Sequence, residues 1–297
     1  MSDERPPTID PVAAARCSRL PVNHSPWLHE EVARRMAERL QWIRAQPDAW
    51  AHWGPLAGGL DGHRLVQARY PQARAHLVET HAEHARLALT RLRARWWQPA
   101  RWLGPALLCG EPPPASVQLV WSNMTLHAQP HPQALIARWS SALAPGGFVM
   151  FSCLGPDSLR DLRRVYESLG WPPPASDFTD MHDWGDLLVA SGFAEPVMDM
   201  ETLTLSWSGP EALLAELRQL GRNLHPQRWP ALRARGWKSR LQGALASALA
   251  DPAGSGRLLL RFEIVYGHAF KSEPRLPLAA ETRIGLEELR RQLRCRD

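Results

Sequence analysis

Between residues 50 and 153 short apolar runs alternate with helical stretches of about ten residues, and few architectures accommodate that alternation. AWAHWGPLAGG reads as a strand ending in a glycine turn, LDGHRLVQARYP as a helix, ARAHLVE as a strand and THAEHARLALTRLRARW as a helix. SVQLVWSN follows as a strand, HPQALIARWSSAL as a helix, and GFVMFSCL, after the Pro145-Gly146-Gly147 turn, as a buried strand. Repeats of this length form βαβ units, so the expected fold is α/β, a doubly wound, mostly parallel sheet. Ligands of such sheets sit beyond the carboxyl ends of the strands. The loops opening at Gly54, Glu79, Ser122 and Leu154 are therefore the place to look for chemistry.

The flanks add helices. SPWLHEEVARRMAERLQWIRAQ reads as a helix with Ser25 as its cap, Pro26 in its first turn and one apolar stripe of Leu28, Val32, Met36, Leu40 and Ile43. Residues 1–24 are punctuated by proline and read as surface chain. After the main alternation, MHDWGDLLVASGF reads as a helix stopped by Gly192, PVMDMETLTLSW as a strand and GPEALLAELRQLG as a helix. RLLLRFEIVYGHAFK reads as a closing strand, of the kind that edges such sheets antiparallel. Tyr266 and His268 then share one face and pack the last strand. The expected division is an N-terminal segment and lid helix over 1–49, the α/β domain over 50–271 with a helical cap around 155–182 and 210–250, and a tail over 272–297.

Composition narrows the setting. No run of about 18 apolar residues occurs and MSDERPPTIDPVAA lacks the regions of a signal peptide, so no membrane span is expected. The four cysteines, Cys17, Cys109, Cys153 and Cys295, lack the spacing of a disulfide framework or a zinc site, which suits a reducing cytoplasm. Residues 218–240 carry seven Lys or Arg and no acid, and residues 86–101 five Arg and no acid. Such faces suit an acidic partner or arise by chance in an Arg-rich chain. The tryptophans lie mostly among apolar residues, so base stacking on nucleic acid is not expected.

VQLVWSNMTLH, LAPGGFVMFSCLGPDSLRDLR, DMHDWGDLLVASGFAEPVMDMETLTL and EIVYGHAFK together resemble the BioC family, the malonyl-acyl-carrier-protein methyltransferases that open biotin synthesis. The stretch LAPGGFVMFS alone is similar to many class I methyltransferases; joined to GPDSLRDLR and DMHDWGDLL it narrows to this family. The resemblance spans residues 115–271 and implies the Rossmann-like class I methyltransferase fold, S-adenosylmethionine as cofactor and an acidic acyl carrier protein as partner, docked through the Arg-rich segments. WGPLAGGLDG takes the place of the family's glycine loop, with Gly58 and Gly59 near its end and Trp53 or Gly54 where the family has an acid. Glu79 falls where the family holds the ribose hydroxyls, and is also where a helix N-terminus favours an acid. Asn123 ends the fourth strand where the family approaches the reacting methyl group. Glu111 stands where an adenine contact is expected, beside a proline run. Asn23-His24 replaces a Tyr-Asp pair.

The implied reaction is methylation of the free carboxylate of a malonyl group on the carrier. The nucleophile is already ionised, so no acid, base or metal is required, only positioning and desolvation. Arg163 is the implied carboxylate clamp or else a surface arginine. His182 either lines the substrate tunnel or belongs to a cap with Asp180 or Asp183. Two alternatives share the fold: a catalytically inactive accessory protein, suggested by the altered loop, and the related complex I assembly proteins.

Overall fold

Every residue of Ala49–Trp53 is buried, and a strand covered on both faces belongs in the interior of a parallel sheet. The computed structural model describes residues 9–22, 24–93, 104–230 and 233–273. Its strands are β1 (Ala49–Trp53), β2 (Arg74–Val78), β3 (Leu107–Cys109), β4 (Val117–Ser122), β5 (Leu143–Leu154), β6 (Phe193–Trp207) and β7 (Leu258–Lys271). They form one sheet in the order β3-β2-β1-β4-β5-β7-β6. The first five run parallel, and β7 inserts antiparallel between β5 and β6. The doubly wound α/β reading holds.

The described helices are α1 (Pro11–Cys17), α2 (Trp27–Arg39), α3 (Pro55–Gly58), α4 (Leu60–Arg69), α5 (Ala82–Leu92), α6 (Pro132–Ala142), α7 (Arg160–Ser168), α8 (Met181–Ala190), α9 (Pro210–Leu220) and α10 (Trp237–Ala248). Alternation along the strands sends Trp50, Trp121, Phe148 and Met150 to one core with α2, and Ala51, Trp53, Val120, Val149 and Phe151 to the other with α6 and α8. Leu28, Val32 and Met36 of α2, and Leu40 just after it, are at most 1% exposed. Each such burial contributes about 1.5–3 kcal/mol, whereas an exposed pair such as Arg34–Glu38 gives about 0.3–0.5. Apolar contact therefore holds α2 down.

Four expectations need correcting. Ser25 does not cap α2: Pro26 holds that position, and the Ser25 hydroxyl instead donates to Leu56 O at 2.9 Å. The leading segment contains α1, capped by Asp10, whose side chain accepts from Val12 N and Ala13 N. Strand β5 begins at Leu143, paired with Val117 before a register shift, so the Pro-Gly-Gly turn lies inside it rather than ahead of it. The strand β3 has three partly exposed residues on the sheet edge, too few to leave a periodicity. Residues 94–101 of the first Arg-rich segment, Asn23 and the tail from 274 lie outside the described residues.

The break at Gly155-Pro156 has a local cause. A methyl group at Gly155 would meet the Glu263 side chain, so glycine lets the chain leave β5 close to β7 without displacing that carboxylate. The buried Ser158 hydroxyl then donates to Glu263 O and accepts from Glu263 N, fastening the GPDSL turn to β7. Close packing recurs at Gly267 in β7, where a methyl group would lie 2.5 Å from the Phe151 ring and 2.9 Å from Met198 Sδ. Gly267→Ala is expected to cost about 1–3 kcal/mol by overpacking, read as a lower denaturation midpoint with unchanged slope.

Candidate active site

The strand order reverses between β1 and β4: from β1 the chain builds outward through β2 and β3, then returns to the other side as β4. The carboxyl ends of these two strands therefore open a crevice, the switch point at which doubly wound sheets bind ligands. The turn leaving β1 is tight. Gly54 adopts φ +67° and donates to Val78 O at 2.8 Å, α3 makes a single turn, and Gly59 adopts φ +122°. The turn ends against β4, since a methyl group at Gly58 would lie 2.7 Å from Asn123 O.

Side chains from three elements converge on that turn. Glu79, just past β2, accepts from Leu56 N at 2.8 Å through Oε1. Asn123, just past β4 and fully buried, donates through Nδ2 to His29 O at 2.8 Å and to Gly58 O, and accepts from the Ser152 hydroxyl at 2.6 Å. Glu30 of α2 accepts from Leu60 N at 2.9 Å and Asp61 N at 3.1 Å, at the start of α4. A methyl group at Gly59 would lie 2.7 Å from its Oε2. His29 Nδ1 sits 2.7 Å from Ala57 O and must carry the hydrogen; burial lowers this imidazole to about 4, so it stays neutral. Helix α2, the glycine turn and the strand ends thus form one hydrogen-bonded unit.

Gly58, Gly59, Glu79 and Asn123 are therefore brought together. Asn123 holds the geometry, with both ends of its amide engaged. Glu79 has one oxygen engaged by Leu56, and burial pushes its carboxyl up to about 7, partly offset by that N–H. The position expected to carry an acid has none: Trp53 turns away, edge-on to Trp139 at 6.5 Å. Glu30 supplies a carboxylate to the same turn from α2. Nothing in its spacing marks it for this, because it lies beside the buried stripe of α2 and its partners are backbone groups 30 residues and more away.

Arg163 and His182 lie apart from this cluster. Arg163, on α7, donates to Pro156 O at 3.1 Å, Ser158 O at 2.8 Å and Ser176 O at 3.0 Å, and its guanidinium lies 5.4 Å from the Phe178 ring centre. It makes no ion pair among the described residues, and its Nε is buried without a partner. Burial lowers its pKa. The Phe178 ring meets His127 edge-on at 5.7 Å, and His127 Nδ1 accepts from Leu154 N at 3.3 Å. Burial lowers His127 to about 3, so this ring too is neutral. The chain Arg163–Phe178–His127–Leu154 links the cap to the end of β5. His182 is exposed in the first turn of α8, where Asp180 caps its backbone N–H. Glu111 pairs with Arg138, both half exposed.

No family model matches the chain. It is 34% identical over 257 residues to the malonyl-acyl-carrier-protein O-methyltransferase of Gallionella capsiferriformans, covering 84% of this chain and 86% of the relative. The chain belongs to the malonyl-acyl-carrier-protein O-methyltransferase family. A second O-methyltransferase of that name, from Halorhodospira halophila, is 33% identical over 272 residues and 90% of each chain. Both relatives carry the methyltransferase name, which does not favour the accessory or assembly-protein alternatives. The fold is matched by a solved Bacillus halodurans structure described as a putative methyltransferase, with TM-score 0.53 and 11% identity, covering 81% of this chain and all of that one.

Proposed function

We propose that the chain transfers a methyl group from S-adenosylmethionine to the free carboxylate of malonyl-acyl-carrier protein, the opening step of biotin synthesis. The observation that carries this reading is the convergence of Glu79, Asn123 and the Gly54–Gly59 turn at the switch point, in a chain whose relatives bear that name. The residues present fit the cofactor. Glu79 keeps one carboxylate oxygen for a ribose diol, glycine at 58 lets the turn approach β4 and glycine at 59 lets it approach α2, and Glu30 is a second carboxylate at the end of the turn, in place of the absent strand-end acid.

S-adenosylmethionine, when bound, supplies a methyl group on a sulfonium, which a carboxylate oxygen can displace in line without acid or base assistance. The chain's own work is to bind, orient and exclude water. Arg163 is the clamp for the malonyl carboxylate: a guanidinium with a buried, unpartnered Nε and no carboxylate of its own among the described residues is prepared to receive one. Asn123 and His29 hold the lid helix against the turn. His182, exposed at the rim of α8, takes no part in the clamp.

The acidic carrier docks on the basic stretch 218–240, where Arg233 lies 3.8 Å over Trp237 and Arg235, Lys238 and Arg240 are exposed. Exposed charges of this kind speed association and lose their effect as salt rises. A cytoplasmic site of action suits the free thiols of Cys17, Cys109 and Cys153.

The test is methyl transfer to malonyl-carrier protein followed by mass. A methyl ester forms on the malonyl carrier and none on an acetyl carrier, which lacks the free carboxylate. A methylated acetyl carrier, or no product on either, would overturn the reading.

Glu79 adds a pH dependence. Its folded pKa lies above that of an unfolded carboxyl, so the folded state holds the proton more tightly. The stabilisation from holding that proton is complete below the unfolded value of 4.5 and is lost as pH rises to about 7. A diol donates to the ionised carboxylate, so cofactor affinity should rise with pH through about 7. Calorimetric titration from pH 6 to pH 8 should show that rise, and Glu79→Gln should flatten it.

A further inference from the structure

Helix α1 bridges Leu224 and the loop after β2. At its start Asp10 N donates to Leu224 O at 2.8 Å, and Ile9, Ala13 and Ala14 pack with Leu224 and with Ala128, in the turn after β4. At its end the Ser18 hydroxyl lies 3.0 Å from His81 Nε2. Between α1 and residues 222–228 lies a recess of about 220 Å³ whose walls include Arg16, Cys17, Arg222, Asn223 and Arg228.

The charge around this recess is unbalanced. Arg228 is paired with Asp10 at 2.7 Å. Arg222 reaches only carbonyl oxygens, those of Arg218 and Gly221, and Arg16 makes no ion pair among the described residues. Two guanidiniums with no carboxylate partner among the described residues, beside a hollow, offer donors to an anion, and planar forked donors suit phosphate oxygens.

The recess is also wired to the clamp. Asn223, on its wall, donates to Pro173 O at 2.6 Å, and three residues further along Ser176 O accepts from Arg163. A ligand bound at both places carries a phosphate at one position and a carboxylate at its far end. We infer that the recess between α1 and residues 222–228 binds the phosphodiester of the carrier protein's phosphopantetheine arm, while the malonyl end of that arm lies at Arg163. The arm as occupant rests on the proposed function; the anion preference of the recess rests on its own arginines.

The experiment is calorimetric titration of the full chain with the holo carrier, which bears the arm, and the apo carrier, which differs only in lacking it. The wild-type chain should bind the holo form more tightly. Arg16→Gln, at an exposed position outside the basic stretch 218–240, should lower holo affinity by about ten-fold, the loss of one charge-assisted contact, and leave apo affinity unchanged, whereas Arg222→Gln, within that stretch, should lower holo affinity about ten-fold more than apo affinity. Equal binding of apo and holo carrier by the wild type, a holo preference that survives the double variant, or a parallel loss of both affinities would overturn the inference. Failure of methyl transfer with the holo preference intact would remove the proposed reaction and leave the recess. Transfer that persists without that preference would remove the recess alone.

Discussion

Replacing Asn123 by alanine is expected to lower the unfolding free energy by about 3 kcal/mol or more, because it strands several buried groups at once. His29 O and Gly58 O each lose a donor, and the Ser152 hydroxyl loses its acceptor, in a place with no exposure to water. A buried group left unsatisfied costs about 1–3 kcal/mol, against about 1 for an average hydrogen bond exchanged with water. The backbone beside it is already strained, with Met124 at φ +52°. Asn123→Asp keeps the shape and separates the two contributions. Its carboxylate cannot donate and would face two carbonyls, so it should be no more stable than the alanine variant. Chemical denaturation measures both, and a loss below about 1 kcal/mol for the alanine variant would mean that lid and turn do not depend on this amide.

Arg163→Gln is expected to lower kcat/KM for malonyl-carrier protein by about a hundred-fold or more, the cost of leaving a desolvated carboxylate unpaired being about 2–5 kcal/mol. The same side chain also ties Pro156, Ser158 and Ser176, so some loss of stability will accompany the change. The affinity for S-adenosylmethionine separates the two roles. A clamp for the acceptor leaves it unchanged, whereas a strap for the whole cap lowers it in step with activity. Arg163→Lys keeps the charge without the planar fork and should recover stability better than turnover.

The site residues were legible to different degrees, for physical reasons. Glu79 and Asn123 could be located because each follows a strand, and strands leave a clear apolar signature, whereas Gly58 and Gly59 were placed through the resemblance of WGPLAGGLDG to a glycine loop. Their convergence was legible only through the fold, since Asn123 and Gly58 are 65 residues apart in sequence. The contacts of His29, Glu30 and Ser25 with the site were not legible, Ser25 reading as a helix cap, because their partners are backbone groups of the glycine turn and a backbone partner leaves no mark on sequence. The GPDSL break was legible as a turn, but the need for glycine at 155 lies in a carboxylate more than a hundred residues away, on β7. Helix α1 was hidden by its length, although Asp10-Pro11 is a sound start signal.

The proposed methyl transfer depends on S-adenosylmethionine binding at the ends of β1, β2 and β4. Calorimetric titration of the full-length chain with that cofactor at pH 8, set beside Gly58→Ala, tests it most directly. The predicted result is saturable one-to-one binding that weakens at least ten-fold, about 1.4 kcal/mol, when the added methyl group forces the turn away from Asn123 O. No heat of binding at millimolar cofactor, or equal affinity in the alanine variant, would contradict it.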